Sequence, residues 1–211
     1  MTPGVTSDSA SGATFVRTVL GDIEPASLGT TYAHEHLVID GGGAVTMSPD
    51  FLLADADRLT AELQAGARAG LRTAVDAMPA DCGRNPQLLA ELSRRSGVQV
   101  IGSTGLHHEK FYGPWHWSRG ATEEEIATLF VADIVEGIDA RDYGGPIVSR
   151  TAVRAGLVKI AGSTDGPSER DRPIFRAAAL AHALVGVPIH THCEAGTGAL
   201  EQVALLTENG V

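Results

Sequence analysis

Lysine is nearly missing from this sequence: two residues, Lys110 and Lys159, stand against fourteen arginines in 211 residues. Basic charge is scarce altogether, since 16 Lys and Arg face 26 Asp and Glu, for a formal net charge of -10 at pH 7. Nucleic acid and anionic membrane both select a positive surface, so neither is expected as a partner. Cysteine is equally sparse. Cys82 and Cys193 lie far apart in no CxxC pattern, which argues against a disulfide framework and leaves two reduced thiols. No apolar run approaches the roughly 20 residues of a membrane span. The opening MTPGVTSDSASGAT lacks an apolar segment, so residues 1–13 read as a disordered leader, neither signal peptide nor anchor. The GxGxxG turn of nucleotide-binding sheets is absent too. Gly41 to Gly43 come near it without its spacing and read as a flexible loop. The expected location is the cytoplasm.

What is present is an alternation of buried strand and helix over residues 14–211. A hairpin in FVRTVLGDIEPASLG comes first, with Gly21 and Pro25 as turn residues. Strand-like runs follow at 30–37, 71–78, 98–105, 155–162 and 187–193, with helical patterns at 50–70, 85–97, 121–138, 168–186 and 198–210. Asn85-Pro86 and the Thr122/Glu125 capping box mark helix starts; Gly70, Gly97, Gly186 and Gly210 mark ends. Apolar strands separated by helices imply a parallel sheet of βαβ units. Five units are present, against the eight of a (β/α)8 barrel, so the expected architecture is an open five-stranded sheet or an incomplete barrel.

Three places carry chemistry. In TTYAHEHL, His34 and His36 project from one face of a strand and Glu35 from the other. Two imidazoles side by side suit a cation; a pair of hydrogen-bonded structural histidines is the plainer alternative. In AGLVKIAG, Lys159 stands mid-strand between Val158 and Ile160, where burial disfavours its charge. A neutral amine can take up CO2 as a carbamate, a carboxylate able to bridge two cations; the alternative is a salt bridge to Asp76. In VPIHTHC, His190 and His192 share a face, His192 nearer the catalytic end and His190 one layer deeper, in a core role. The loop HHEKFYGPWHW holds Phe111, Tyr112, Trp115 and Trp117, four of the ten aromatics. These form either an apolar wall for substrate, with His107 and Tyr112 as polar contacts, or a loop that merely packs. Its histidines His107, His108 and His116 show no ligand spacing. Asp76 is expected to hydrogen-bond inside the barrel, and Glu35 to point away from the site.

The segments TVLGDIEPASLGTTYAHEHL, NPQLLAELSRRSGVQVIGSTGL, RAGLVKIAG and GVPIHTHCEAGTGALEQVALLTENGV, in that order, resemble the phosphotriesterase family of the amidohydrolase superfamily, including its lactonase-like members. The resemblance implies a (β/α)8 TIM barrel with two divalent metal ions, zinc first, although cobalt, manganese and iron suit the same donors. It implies His34 and His36 on the more buried metal, His192 on the more exposed one, and Lys159 as the carboxylated bridge and catalytic residue. His107, Tyr112 and Trp115 would contact substrate. The implied reaction is attack of a metal-bridged hydroxide on a lactone, carboxylic ester or phosphotriester. Small-molecule esters are the implied partners, with homodimerisation left open. The family's histidine on the sixth strand and aspartate on the eighth have no counterpart here, so four of six ligands are matched. Two alternatives stand beside this reading: a one-metal deaminase or amidohydrolase, and an inactive or assembly-dependent fragment lacking the ligands of strands 6 and 8.

Overall fold

The computed structural model describes residues 14–211; the leader expected over 1–13 lies outside them. β1 (Val16–Thr18) and β2 (Gly21–Ile23) form the expected antiparallel hairpin. It packs beneath the sheet, with the Val19 N–H donating to the Val100 carbonyl at 2.8 Å. The sheet consists of β3 (Thr31–Glu35), β4 (Thr73–Asp76), β5 (Gln99–Leu106), β6 (Leu157–Gly162) and β7 (Ile189–Cys193), all parallel and in chain order. Helices α1 (Gly42–Met47) and α2 (Ala56–Arg68) follow β3; α3 (Pro86–Ser96), α4 (Glu123–Val135), α5 (Arg172–Val185) and α6 (Ala199–Glu208) each follow one of the next strands. These are five βα units curled into an arc, the incomplete barrel of the two architectures left open by the residue pattern and the one implied by the resemblance.

The core lies between strands and helices. Val100, Val158 and Ile160 meet Leu89 and Leu92 of α3, Phe130 of α4, and Phe175, Ala177 and Ala181 of α5, all essentially inaccessible to water. Such side chains each contribute about 1.5–3 kcal/mol when fully buried, which fixes the helices to the outer face. Caps set the boundaries. Asp55 accepts the Asp57 and Arg58 N–H groups, Asn85 accepts that of Leu88, and Thr122 with Glu125 closes the complete capping box.

Three segments depart from expectation. The pattern at 50–70 yields a helix only from Ala56, because Leu53 pairs with Ile39 in an isolated bridge and Asp55 caps immediately afterwards. The pattern at 168–186 becomes helical at Arg172, because the Asp171 carboxylate closes the preceding turn on Ser163 and Ser168. Gly41–Gly43 form a packed corner rather than a flexible loop. Gly42 and Gly43 open α1, Gly42 has φ +75°, and a Cβ there would meet the Cys82 backbone at 2.8 Å.

Candidate metal centre and active site

β3 and β7 are the two edges of the sheet, yet the rings of His34 and His190 are only 4.6 Å apart, perpendicular to one another. The arc therefore curls until its edges face each other across a concave surface. Along the ladder, Lys159 is paired with His190 and with Gly105, and Ala161 with His192. Laterally paired residues share a face, so Lys159, His190 and His192 all project to the concave side. Gly105, at φ +114°, leaves no room for a Cβ against the Lys159 carbonyl and keeps β5 tight against β6 at this level.

Histidines surround the lysine. His34 and His36 have ring centroids 5.4 Å apart, as do His107, at the end of β5, and His192. His36 Nδ1 lies 2.9 Å from the Met78 sulfur. Desolvation, then the neighbouring Lys159 charge, lowers His34 and His36 to about 4, and His107 further still. Burial also lowers His190. So lowered, these rings are neutral at pH 7; His107 spends its Nδ1 lone pair on the His108 N–H at 2.7 Å, which leaves those of His34, His36 and His190 for a cation. Lys159 is completely buried, its Nζ has no hydrogen-bond partner, and burial lowers it to about 8. The alternative salt bridge to Asp76 is not formed: Asp76 pairs laterally with Gly102, whose face looks toward Leu89 and Ile138, and it accepts the Leu37 N–H at 2.8 Å. Asp76 hydrogen-bonds as expected, but toward the helices rather than the barrel interior.

The donor set fits divalent metal. Two imidazoles sharing a tetrahedral ion at ~2.0–2.1 Å place their centroids about 5 Å apart, close to the spacing of His34 with His36. Among the described residues, however, no three His, Cys, Asp or Glu side chains already form a ligand cluster. The group at the centre is the amine of Lys159. As an amine it is a single unpartnered nitrogen; as a carbamate it would add two oxygens in the place where the histidine set lacks an anionic donor.

A cavity of about 230 Å³ opens beside His36 and His107, lined also by Ile39, Phe51, Met78 and Phe111. Its wall is largely apolar. Of the residues expected to meet substrate, His107 lies at its edge. Tyr112 and Trp115 are not among its lining residues. The Tyr112 hydroxyl donates to the Ala80 carbonyl and accepts the His107 N–H, both at 2.8 Å, which staples the loop. Trp115 is 94% exposed. His116 pairs with Asp81 at 3.0 Å, another staple. His190, expected in a core role, instead touches His34; only the curl of the sheet brings them together. Glu194 also escaped sequence reading. It accepts from His192 Nε2 at 3.2 Å and from Lys110 Nζ at 2.7 Å, and Lys110 holds its carboxyl below the usual range.

Two other constellations are inert as nucleophiles. Ser163, His108 and Asp171 resemble a triad, but His108 Nδ1 accepts the Lys110 N–H. Its Nε2 is therefore the protonated nitrogen of the neutral ring and donates to Ser163, so the imidazole is no base for the hydroxyl, which donates instead to Asp171 Oδ2 at 2.7 Å. Burial pushes the Cys82 thiol up to about 12, far from thiolate at neutral pH.

The phosphotriesterase family model matches residues 14–211, and the chain belongs to this family. It is 38% identical over 192 residues to a phospho-furanose lactonase of Mycoplasmopsis synoviae, covering 89% of this chain and 54% of that protein. It is 32% identical over 193 residues to an aryldialkylphosphatase of Saccharolobus solfataricus, covering 90% and 57%. The crystal structure of an amidohydrolase from Mycoplasma synoviae superposes with a TM-score of 0.91 at 34% identity, covering 95% of this chain and 58% of that one. The chain thus spans just over half the length of these relatives, and its arc is the corresponding part of their barrel.

Proposed function

We propose that the concave face carries the greater part of a binuclear metal site for hydrolysing ester bonds, in lactones and carboxylic esters first and phosphotriesters second. The observation that carries this reading is Lys159: a fully buried amine without a partner, ringed by histidines from β3, β7 and the turn after β5. In the carbamate step the lysine nitrogen lone pair forms an N–C bond to CO2, one C–O π bond breaks to give the carboxylate, and a proton leaves to solvent. His34 and His36 would hold one ion, His192 the other, and the carbamate both. Two divalent cations, zinc by the character of the donors, would supply Lewis-acid polarisation of the substrate oxygen and acidify a bound water.

The chain's own residues do the rest. The apolar cavity takes the alkyl or aryl part of the ester, and its lining residues include no cation to receive a phosphate. Phe111, packed on the His107 ring at 4.4 Å, excludes water from that side. The names of the relatives, lactonase and aryldialkylphosphatase, support ester chemistry of this kind. A second reading, activity only when further βα units complete the barrel, is favoured by the free edges of β3 and β7.

The test is zinc content and turnover together. The chain is loaded with zinc and bicarbonate, alone and mixed with the C-terminal units of a relative, and offered lactones, aryl esters and aryl phosphotriesters. Zinc uptake that disappears in Lys159→Ala, with a carbamate 13C signal from labelled bicarbonate, is the expected result. Uptake unchanged in that variant would overturn the metal reading; turnover only in the mixture would select assembly dependence.

A further inference from the structure

The two lysines of this chain both reach the site. Lys159 lies at its centre, and Lys110 reaches it through Glu194. Among the described residues every other Lys or Arg ion pair uses arginine; Lys110–Glu194 alone uses lysine. Lysine's ammonium is compact and can meet one carboxylate oxygen end-on, leaving the other free, whereas arginine's fork favours both. That is the arrangement here. Oε1 of Glu194 takes Lys110 Nζ at 2.7 Å, and Oε2 takes His192 Nε2 at 3.2 Å.

The turn that presents Glu194 is built for it. Glu194 follows β7 directly in a single 3-10 turn, Glu194–Gly196. Ala195 within that turn has φ +53°, a left-handed conformation that is unfavourable for a residue with a Cβ. The Glu194 carbonyl is held from the other side by the N–H and the hydroxyl of Thr197, at 3.1 and 3.0 Å. Backbone strain of this sort persists where surroundings over-determine it.

We propose that Glu194, backed by Lys110, is a positioning residue that fixes His192 as the Nε2–H tautomer and so offers Nδ1 as the ring's metal-binding nitrogen. A carboxylate can only accept, so the nitrogen facing it must carry the proton; the neutral ring then has its lone pair on Nδ1. Carboxylates behind metal-binding histidines orient the ring and raise its basicity, and their loss costs 10–100-fold in metal affinity. The inference rests on the metal reading above and adds the carboxylate–ammonium pair that orients the His192 ring.

The test uses the full chain without and with zinc. In the metal-free protein, long-range 1H–15N correlation of 15N-histidine should show His192 Nε2–H as a single hydrogen-bonded tautomer. In Glu194→Ala that hydrogen-bonded signal should be lost and the Nδ1–H form should become detectable. Zinc affinity, by chelator competition, should fall 10–100-fold in Glu194→Ala, less in Glu194→Gln, which keeps an acceptor without charge, and least in Lys110→Met. Thermal midpoints should stay within a few degrees, since the pair is at the surface. Wild-type affinity in Glu194→Ala, or an Nδ1–H tautomer in the parent chain, would overturn the inference while leaving the metal reading intact. Absence of zinc binding in the parent chain would remove the metal reading but not the tautomer assignment, which the metal-free spectrum decides independently.

Discussion

Lys159 concentrates the cost and the use of this site in one nitrogen. Holding an amine in a fully buried place without a partner costs stability, and a bare lysine gives nothing in return. On the proposed reading, carboxylation would convert that orphan into an anion facing cations. Lys159→Ala should therefore abolish zinc uptake and reduce hydrolysis at least about 100-fold, with partial recovery on adding formate or acetate; inductively coupled plasma analysis and an ester assay check both parts. Asp76 is a second buried ionisable group, with a different consequence. Desolvation raises its carboxyl from 3.8 to about 7 against the hydrogen bond from Leu37. Between those values the unfolded chain has released a proton that the folded chain retains. The Asp76 contribution to stability is thus fully present below about pH 4 and lost as pH rises through 7. Asp76→Asn should flatten that part of the stability profile by up to a few kcal/mol, measured as urea midpoints from pH 4 to 8. An unchanged slope would show that Asp76 ionises normally.

At the scale of elements, the loop from β4 to α3 borders the cavity through Cys82, and one carboxylate holds it. Asp142 Oδ2 accepts three successive N–H groups, of Cys82, Gly83 and Arg84, at 3.1, 2.9 and 2.9 Å. Its other oxygen takes Arg84 Nε at 2.6 Å, and Arg84 continues to Asp133 of α4 at 2.9 Å. Asp133 in turn receives Arg150, Tyr143 and Thr104. Asp142 and Tyr143 both have positive φ, at 48° and 61°, so the segment after α4 is bent to deliver the carboxylate. Removing one partner of such a buried pair strands the other. Asp142→Ala should destabilise by about 3–5 kcal/mol, roughly 10 °C in thermal midpoint, and expose Cys82 to thiol reagents. A midpoint within 2 °C of the parent would show that the clasp is incidental. Thr122→Ala, which removes only the α4 cap, should cost about 1 kcal/mol by the same measurement.

Over the whole molecule, the arc has two free edges and an uncovered flank. β3 is largely exposed along its length, and on α5 and α6 Leu184, Leu200 and Val203 are 70%, 80% and 60% exposed. Exposed strand edges and grouped apolar side chains promote association. The chain by itself should bind a hydrophobic dye and self-associate with rising concentration, and Leu184→Glu with Leu200→Lys should reduce both; light scattering and dye fluorescence check it. A monomer without dye binding would mean that these faces are tolerated. No described helix is long and apolar enough to cross a membrane.

Much of this was legible in the residues. Short apolar runs between helical patterns located the five strands, caps and glycines located most helix ends, and side-chain alternation placed His34 with His36 and His190 with His192, because such signals act over a few neighbouring residues. Asp55 and Asp171 shifted helix starts through hydrogen bonds to local partners that propensity does not weigh. Other features depended on curvature. His190 meets His34 only because opposite edges of the sheet converge, and Tyr112 staples its loop only because the Ala80 carbonyl lies within reach of its hydroxyl. Glu194 became a partner of His192 through one strained turn and a lysine from another loop. Local chain stiffness and hydrophobic periodicity determined the elements; the distances between chemical groups were decided by the closure of the sheet, which brings together residues that no short-range pattern connects.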